Sequence, residues 1–405
     1  MIRKTGFLVV VAGLLLAVLS PVLAQTGAGP RILESSASVE FPARLSFSLE
    51  AESDVDITDI RLHYRVDRDS FARVTSEVII SFSPAASVAA SWSLEMIKAG
   101  GMPSGAVVRY WWTVTDASGH SIETAPLQVQ FDDDRYQWRS LVQGDITLYW
   151  YQGGESFAQE IMQTAQEALV RLAEDTGAYL VRPIKVYIYA SSQDLLGAMI
   201  FPQEWTGGVA YTTYGTLAIG INPGILEWGK RAIVHELAHL VTYQMTSNPY
   251  NSLPTWLSEG LSVYAEGEPE AIYVAYLNQA ILQGTLISVR SLSSPFSAFA
   301  AQSYLSYAQS RSLVDFMISQ YGQDRMLELL GTFKQGSGYD AALMKVYGFD
   351  MDGLDALWRA YVVEKYQPDG GNTSAAPAGT PLVAAATSPA ASGLVAEERL
   401  WSRAG

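Results

Sequence analysis

The sequence contains no cysteine. This absence excludes a disulfide framework, a thiolate metal site and a lipid-modified N-terminal cysteine. Any metal must therefore be bound through nitrogen and oxygen atoms. Histidine is scarce as well, with four residues in the chain, so two histidines that lie close together in sequence are informative.

Positive charge is the second scarcity. The chain has 26 Lys and Arg residues against 41 Asp and Glu residues, which gives a formal net charge of −15 at pH 7. Nucleic acids and anionic lipid surfaces both bind basic faces, so this balance argues against either of them as a partner. Solubility is the plainer consequence of the acidity.

The two ends of the chain differ from the rest in composition. Residues 1–24 combine a basic start, an apolar run from Phe7 to Leu19 and a small-residue pattern that ends at Ala24, which predicts a cleavable signal peptide. An uncleaved membrane anchor is the alternative, but the run is short for a span. We expect a secreted or cell-envelope protein with no stable membrane span after cleavage. Residues 368–405 are rich in Ala, Pro, Ser and Thr and predict a disordered tail.

Residues 30–133 consist of short alternating runs, such as ITDIRLHYRV and VVRYWWTVTD, separated by Ser, Gly, Asp and Pro. This pattern predicts an all-β domain, an antiparallel sandwich. Residues 110–124 resemble the late strand and turn of immunoglobulin-like or fibronectin-type modules. Trp111 and Trp112 point to opposite faces of their strand, so we expect one in the core and the other partly exposed.

Residues 138–367 mix strands with long helices, which predicts an α+β domain with a mostly helical C-terminal half. Apolar residues recur at helical spacing between Glu155 and Gly177, and Gly177 is a natural stop. The strand IKVYIYA follows. Residues 207–222 then read as two strands, or as one strand with a bend at Gly215. The chain is therefore predicted to be a multidomain protein.

The chemistry is concentrated in RAIVHELAHLVTYQ, residues 231–244. On a helix His235 and His239 lie one turn apart on the same face, so both imidazoles can bind one cation. Glu236, next to the first histidine, can take a proton from water at that cation. An ordinary buried helix is the alternative, but it would have to bury these three polar side chains without partners.

A catalytic zinc site needs a third protein ligand. Glu259 follows His239 after 19 intervening residues, in LPTWLSEGLSVYAEG, on a helix that Pro254 opens. Its apolar neighbours would make an unpaired carboxylate costly, and a metal would relieve that cost. Glu266 is the rival ligand. Because it lies close to the helix end, we expect it to be exposed to solvent or to support a ligand from behind.

The strings HELAH and LPTWLSEGLS together resemble the gluzincin metallopeptidases, and most of all the bacterial peptidase MA-like group related to thermolysin and aminopeptidase N. The resemblance extends over about residues 140 to 366. It implies that one Zn²⁺ ion is held by His235, His239 and Glu259, with Glu236 as the general base. It also implies a tyrosine opposite the zinc at the start of a helix, for which Tyr307 is the candidate and Tyr304 the competitor.

The resemblance further implies a substrate-binding edge strand, here Gly208, Val209 and Ala210, along which a peptide adds as an extra strand. Aminopeptidases of this kind carry Gly-x-Met-Glu-Asn at that strand, and the glutamate binds the free amine of the substrate. This chain has Gly-Val-Ala-Tyr-Thr instead. The acid that thermolysin places four residues after the third ligand is also replaced, by Val263.

The leading hypothesis is an exported zinc metallopeptidase, an endopeptidase rather than a strict aminopeptidase, that acts on a peptide or protein substrate. The alternative is a metal-bearing surface protein that binds peptide or glycan without cleaving it. A third interpretation makes residues 30–133 an adhesion or carbohydrate module. Glu236 favours the first hypothesis, because a degenerate site usually loses its general base. The oligomeric state is not determined by the sequence.

Overall fold

A computed structural model describes residues 29–202, 207–297 and 299–366 of the chain. The predicted signal peptide and the predicted tail lie outside the described residues. No helix within the described ranges is long and apolar enough to cross a membrane.

The N-terminal part is β-rich, as predicted. Its elements are β1 (Arg31–Glu40), β2 (Arg44–Asp67), β3 (Ser76–Ile79), β4 (Ala85–Glu95), the short helix α1 (Met96–Ala99), β5 (Ala106–Asp116), β6 (Ser121–Glu123) and β7 (Leu127–Phe131). The long strand β2 organises this part. Its first half pairs with β1 and β4, and its second half pairs with β3 and β5.

The core of the N-terminal part lies between the two halves of β2. Phe47 lies in the first half of β2. Its ring packs against Tyr64 in the second half of β2 and against Tyr110 in β5, with ring centroids 6.2 and 4.9 Å away. Trp112 is fully buried there, whereas Trp111 is partly exposed and stacks on His63. The predicted division of the two tryptophans between core and surface is therefore confirmed.

The second part begins with a five-stranded sheet in the order β11-β12-β10-β9-β8. Its strands are β8 (Arg139–Gln143), β9 (Ile146–Trp150), β10 (Ile184–Tyr189), β11 (Gly208–Tyr211) and β12 (Thr216–Gly220). The three central strands are parallel, and the two edge strands are antiparallel to their neighbours. A 3-10 turn and Gly215, at φ 61°, separate β11 from β12, which confirms two strands.

Helices make up the rest of the described chain. They are α2 (Glu155–Thr176), α3 (Ser192–Leu196), α4 (Leu226–Thr246), α5 (Thr255–Ala265), α6 (Ala271–Gln283), α7 (Ala300–Tyr321), α8 (Gln323–Lys334), α9 (Tyr339–Tyr347) and α10 (Met351–Tyr366). Helix α2 ends at Gly177 in the left-handed conformation, as predicted. It buries Phe157, Ile161 and Leu172, and each of these contributes about 1.5–3 kcal/mol.

The two faces of the second sheet bury different partners, because successive side chains of a strand point to opposite faces. Ile184, Val186 and Ile188 of β10 pack into the helical core, whereas Tyr187 and Tyr189 join the core of the N-terminal part. The sheet therefore has the helices on one face and the β-rich part on the other.

Asp133 fixes the junction between the two parts. Its carboxylate is fully buried and accepts hydrogen bonds from Arg135 at 2.7 Å and from the Tyr189 hydroxyl at 3.1 Å. The indole of Trp138 donates to its carbonyl at 2.8 Å. The acidic run at residues 132–134, where the predicted β domain ends, thus contains a buried ionic anchor.

Candidate metal centre

Helix α4 carries the two histidines of the motif. A 3-10 turn leads into it, and the side chain of Asn222 caps that turn by accepting a hydrogen bond from the Gly224 amide at 2.8 Å. His235, Glu236 and His239 are all buried, with exposed fractions of 1–3%. Burying three ionisable groups costs free energy unless they are hydrogen-bonded, paired with a charge or bound to a metal.

Helix α5 brings the third predicted ligand to α4. It starts after Pro254 and places Glu259 in the interior, with 1% of its surface exposed. Gly260 lets α7 come close: a Cβ at that position would lie 2.5 Å from the carbonyl oxygen of Ser310. Helix α5 is therefore held between α4 and α7, with Glu259 facing the histidines.

The three predicted ligands meet in one cluster. The Oε2 atom of Glu259 lies 3.4 Å from Nε2 of His235 and 3.5 Å from Nε2 of His239. One potential ligand atom from each residue lies within 4.8 Å of the other two. All three residues are buried.

The same three atoms have no hydrogen-bond partner within the part of the chain that the structure describes. An unsatisfied buried polar atom costs about 1–3 kcal/mol, and a cation shared by all three atoms would remove that cost. Two imidazole nitrogens and a carboxylate oxygen form the ligand set of a catalytic zinc site with three protein ligands. The cluster fits a zinc ion.

The other imidazole nitrogens are held from behind. Nδ1 of His235 lies 2.8 Å from Oε1 of Glu266, and Oε2 of Glu266 accepts a hydrogen bond from Arg231 at 2.9 Å. Nδ1 of His239 lies 3.2 and 3.1 Å from the hydroxyls of Ser258 and Ser262. When Nδ1 carries the proton, Nε2 keeps its lone pair for a metal.

Glu266 is therefore not exposed to solvent, since 8% of its side chain is accessible. The structure supports the other expected role, in which Glu266 supports a ligand, because its carboxylate orients His235. Ser258, Ser262 and Arg231 were missed by the sequence reasoning. The two serines could have been found, because they flank Glu259 at one and three residues on the same helix. Val263 is buried in the core and takes no part.

Charges inside the cluster shift the protonation of its members. Burial opposes the charge on His235, but the carboxylates of Glu259 and Glu266 prevail and raise its pKa to about 10. Burial also opposes the charge on Glu259, yet the histidines at 3.4 and 3.5 Å hold its pKa well below the usual range. Without a metal, the structure thus favours a protonated His235 beside an ionised Glu259.

Glu236 lies beside the cluster on the same helix. Both of its carboxylate oxygens are without a hydrogen-bond partner among the residues described, and burial raises its pKa. Strand β11 packs directly on it: a Cβ on Gly208 would lie 3.0 Å from Cγ and 3.1 Å from Oε1 of Glu236. A buried carboxylate with a raised pKa is suited to accept a proton and to return it.

Tyr307 also borders the cluster. It is buried, and its ring centroid lies 6.2 Å from that of His235. Burial, with a further contribution from Glu259, raises its pKa well above the usual value, so the phenol keeps its proton. The resemblance implied a tyrosine at the start of a helix. Tyr307 instead lies in the third turn of α7, because α7 begins at Ala300. Tyr304 stacks on Tyr276.

The predicted substrate strand is β11, which lies at the edge of the sheet. It pairs with β12 on one side, with Gly208 opposite Ile219, and on its other side it pairs with no strand of the described residues. Val209 is buried against the N-terminal part, so its side chain points away from α4. Gly208 and Ala210 lie on the opposite face of β11, which is turned towards the helices.

The comparison with protein families can now be added. The family model of the Peptidase MA superfamily matches residues 164–364. This Peptidase MA match spans α4, α5 and the whole cluster, and it supports a gluzincin-like metallopeptidase. A comparison with curated proteins gave no match.

Among solved structures, an M1 zinc metallopeptidase from Deinococcus radiodurans is 14% identical, with 87% of this chain and 97% of that chain covered and a TM-score of 0.35. A family 56 carbohydrate-binding module, described as a β-1,3-glucan binding domain, is 19% identical over 24% of this chain and 96% of that chain, with a TM-score of 0.16.

Proposed function

We propose that this protein is an exported zinc metallopeptidase that hydrolyses peptide bonds. The observation that carries the proposal is the cluster of His235, His239 and Glu259. Its three unpartnered ligand atoms face one another, and the unpartnered carboxylate of Glu236 lies beside them. The Peptidase MA match over residues 164–364 supports the same function.

His235, His239 and Glu259 would hold the zinc ion. When bound, zinc supplies Lewis-acid chemistry, which lowers the pKa of water and polarises the substrate carbonyl. Glu266, Ser258 and Ser262 keep the two imidazoles in the orientation that leaves Nε2 available, because they engage both Nδ1 atoms.

Glu236 acts as the general base. Its carboxylate removes a proton from the attacking water and then delivers that proton to the nitrogen of the leaving amine. Tyr307 donates a hydrogen bond from its phenol to the oxygen that becomes negative during attack. The raised pKa of Tyr307 supports this role, because an ionised phenol cannot donate.

Strand β11 aligns the substrate through its free main-chain edge, next to Glu236. Gly208, Val209 and Ala210 contribute main-chain atoms only, since Val209 turns its side chain to the N-terminal part. No carboxylate stands on β11 to bind a free amine. We therefore infer an endopeptidase, with the β-rich part as a sandwich module and with release outside the cell or into the envelope.

Metal content and hydrolysis of casein test the proposal together. The purified protein should contain one zinc per chain and cleave casein, and a chelator should abolish cleavage. Glu236→Gln should keep the zinc and lose about 10²–10⁴-fold in kcat, whereas His235→Ala should lose both. Full activity in Glu236→Gln would overturn the mechanism. A zinc-loaded wild type that cleaves nothing would favour the metal-bearing binding protein instead.

A further inference from the structure

The connection between α5 and α6 carries the residue that orients His235. This acidic turn consists of residues 266–270, with the sequence Glu-Gly-Glu-Pro-Glu, and Glu266 is its first member. Oε1 of Glu266 lies 2.8 Å from Nδ1 of His235. Glu266 is the C-cap of α5, and Gly267 leaves the helix at φ 94°. The place of this carboxylate therefore depends on how the acidic turn is held, and not on the helix alone.

Electrostatics make this position unfavourable for a glutamate. The C-terminus of a helix carries a partial negative charge, so a carboxylate there is destabilised unless a cation lies nearby. The last turn of α5 contains no basic residue. Glu268 and Glu270 place two more acidic side chains in the acidic turn. The buried carboxylate of Glu266 therefore needs a cation from another element.

Arg231 of α4 supplies that cation, and it lies one helical turn before His235. Its Nη2 atom donates to Oε2 of Glu266 at 2.9 Å, and its Nε atom lies 3.2 Å from Oε1 of Glu270. Both terminal nitrogens also donate to the carbonyl oxygen of Glu268, at 3.4 Å. One planar guanidinium group thus ties three residues of the acidic turn to the helix that carries the histidines.

Arg311 of α7 holds the same turn from a second helix. Its Nη2 atom donates to the carbonyl oxygen of Gly267 at 2.8 Å. Its guanidinium carbon also lies 5.8 Å from the ring centroid of Tyr264, in the last turn of α5. Neither Arg231 nor Arg311 can bind a metal itself, because a guanidinium group has hydrogen-bond donors only.

We propose that Arg231 and Arg311 are positioning residues of the metal centre. They fix the acidic turn against α4 and α7, so that Glu266 holds the imidazole of His235 with its Nε2 atom directed at the other two ligands. The inference rests on the proposed zinc site, and it makes zinc affinity depend on two cations outside that site. A turn with a purely structural role is the alternative, and its loss would lower stability without a specific effect on zinc.

Zinc affinity, measured by competition with a chelator, tests the proposal together with the melting temperature of the metal-free protein. Arg231→Ala should lower the affinity about tenfold, at the lower end of the range of about 10–100-fold for a partner that contacts a metal ligand directly. Arg311→Ala should lower it by a smaller factor. Arg231→Lys should recover part of the loss, since an ammonium group can still donate to Glu266. In the Glu266→Gln background, Arg231→Ala should cause little further loss, because both changes remove the same contact.

Arg359→Ala is the matched control. Arg359 has the same exposed fraction of its side chain as Arg231, 33%. It also pairs with a carboxylate, that of Asp355 at 2.6 Å, and donates to the carbonyl oxygens of residues 286 and 287. Arg359→Ala should therefore lower the melting temperature as Arg231→Ala does, but it should bind zinc like the wild type.

The proposal is overturned if Arg231→Ala or Arg311→Ala binds zinc as tightly as the wild type, or if Arg359→Ala loses as much affinity as Arg231→Ala. It is also overturned if the losses of Arg231→Ala and Glu266→Gln simply add. A wild type that binds zinc but cleaves no casein would overturn the peptidase function alone, since zinc affinity still reports on the two arginines. A wild type without zinc affinity would overturn both proposals.

Discussion

The contact between Gly208 and Glu236 gives the sharpest prediction. In Gly208→Ala the new methyl carbon would start 3.0 Å from Cγ of Glu236, whereas carbon atoms in contact prefer about 3.5–4.0 Å. Glu236 has to move by about half an ångström, and nothing in the described chain holds its carboxylate through a hydrogen bond. Since a displacement of about 1 Å at a reacting group can cost about 100-fold, we expect kcat to fall about tenfold.

The assay is casein or peptide hydrolysis under steady-state conditions, with zinc content measured on the same preparation. KM should change little, because the main-chain edge of β11 is kept, and zinc should remain, because the three atoms nearest the new methyl group all belong to Glu236 and not to a ligand. Gly331→Ala is the matched control: its Cβ has no neighbour within 4 Å. An unchanged kcat in Gly208→Ala, or a loss of zinc together with activity, would refute the reasoning.

Three further predictions follow from the surroundings of the cluster. Glu266→Gln should lower zinc affinity about 10–100-fold in a chelator competition, because His235 loses its orienting partner, while the exposed Glu268→Gln should not. Because the pKa of His235 is raised to about 10, zinc binding at pH 7 should release one proton, and affinity should rise about tenfold per pH unit towards that pKa. Titration calorimetry in two buffers of different ionisation enthalpy measures this proton, and no release would contradict the assignment. Gly260→Ala should lower the free energy of unfolding by about 1–3 kcal/mol or more in thermal melts, since its Cβ would lie 2.5 Å from Ser310.

Much of the local structure could be predicted from the spacing of apolar residues and from the glycines that end helices and strands. The helix that ends at Gly177 and the break at Gly215 both occur where the sequence indicates them, because glycine is the residue that most readily adopts the positive φ these positions need. The pair His235 and His239 is equally local, since spacing alone places them on one helix face. Whether α5 turns Glu259 towards them depends on the loop and on the contact of Gly260 with α7.

The sequence by itself determined which kind of metal site this chain can build. Without cysteine, and with two histidines one helical turn apart, a nitrogen and oxygen site was the remaining choice. Only the tertiary structure decided what surrounds it: Glu266 lies behind His235, and Gly208 lies against Glu236. The physical reason is that spacing along the chain fixes contacts within one element, whereas contacts between elements depend on how their faces pack.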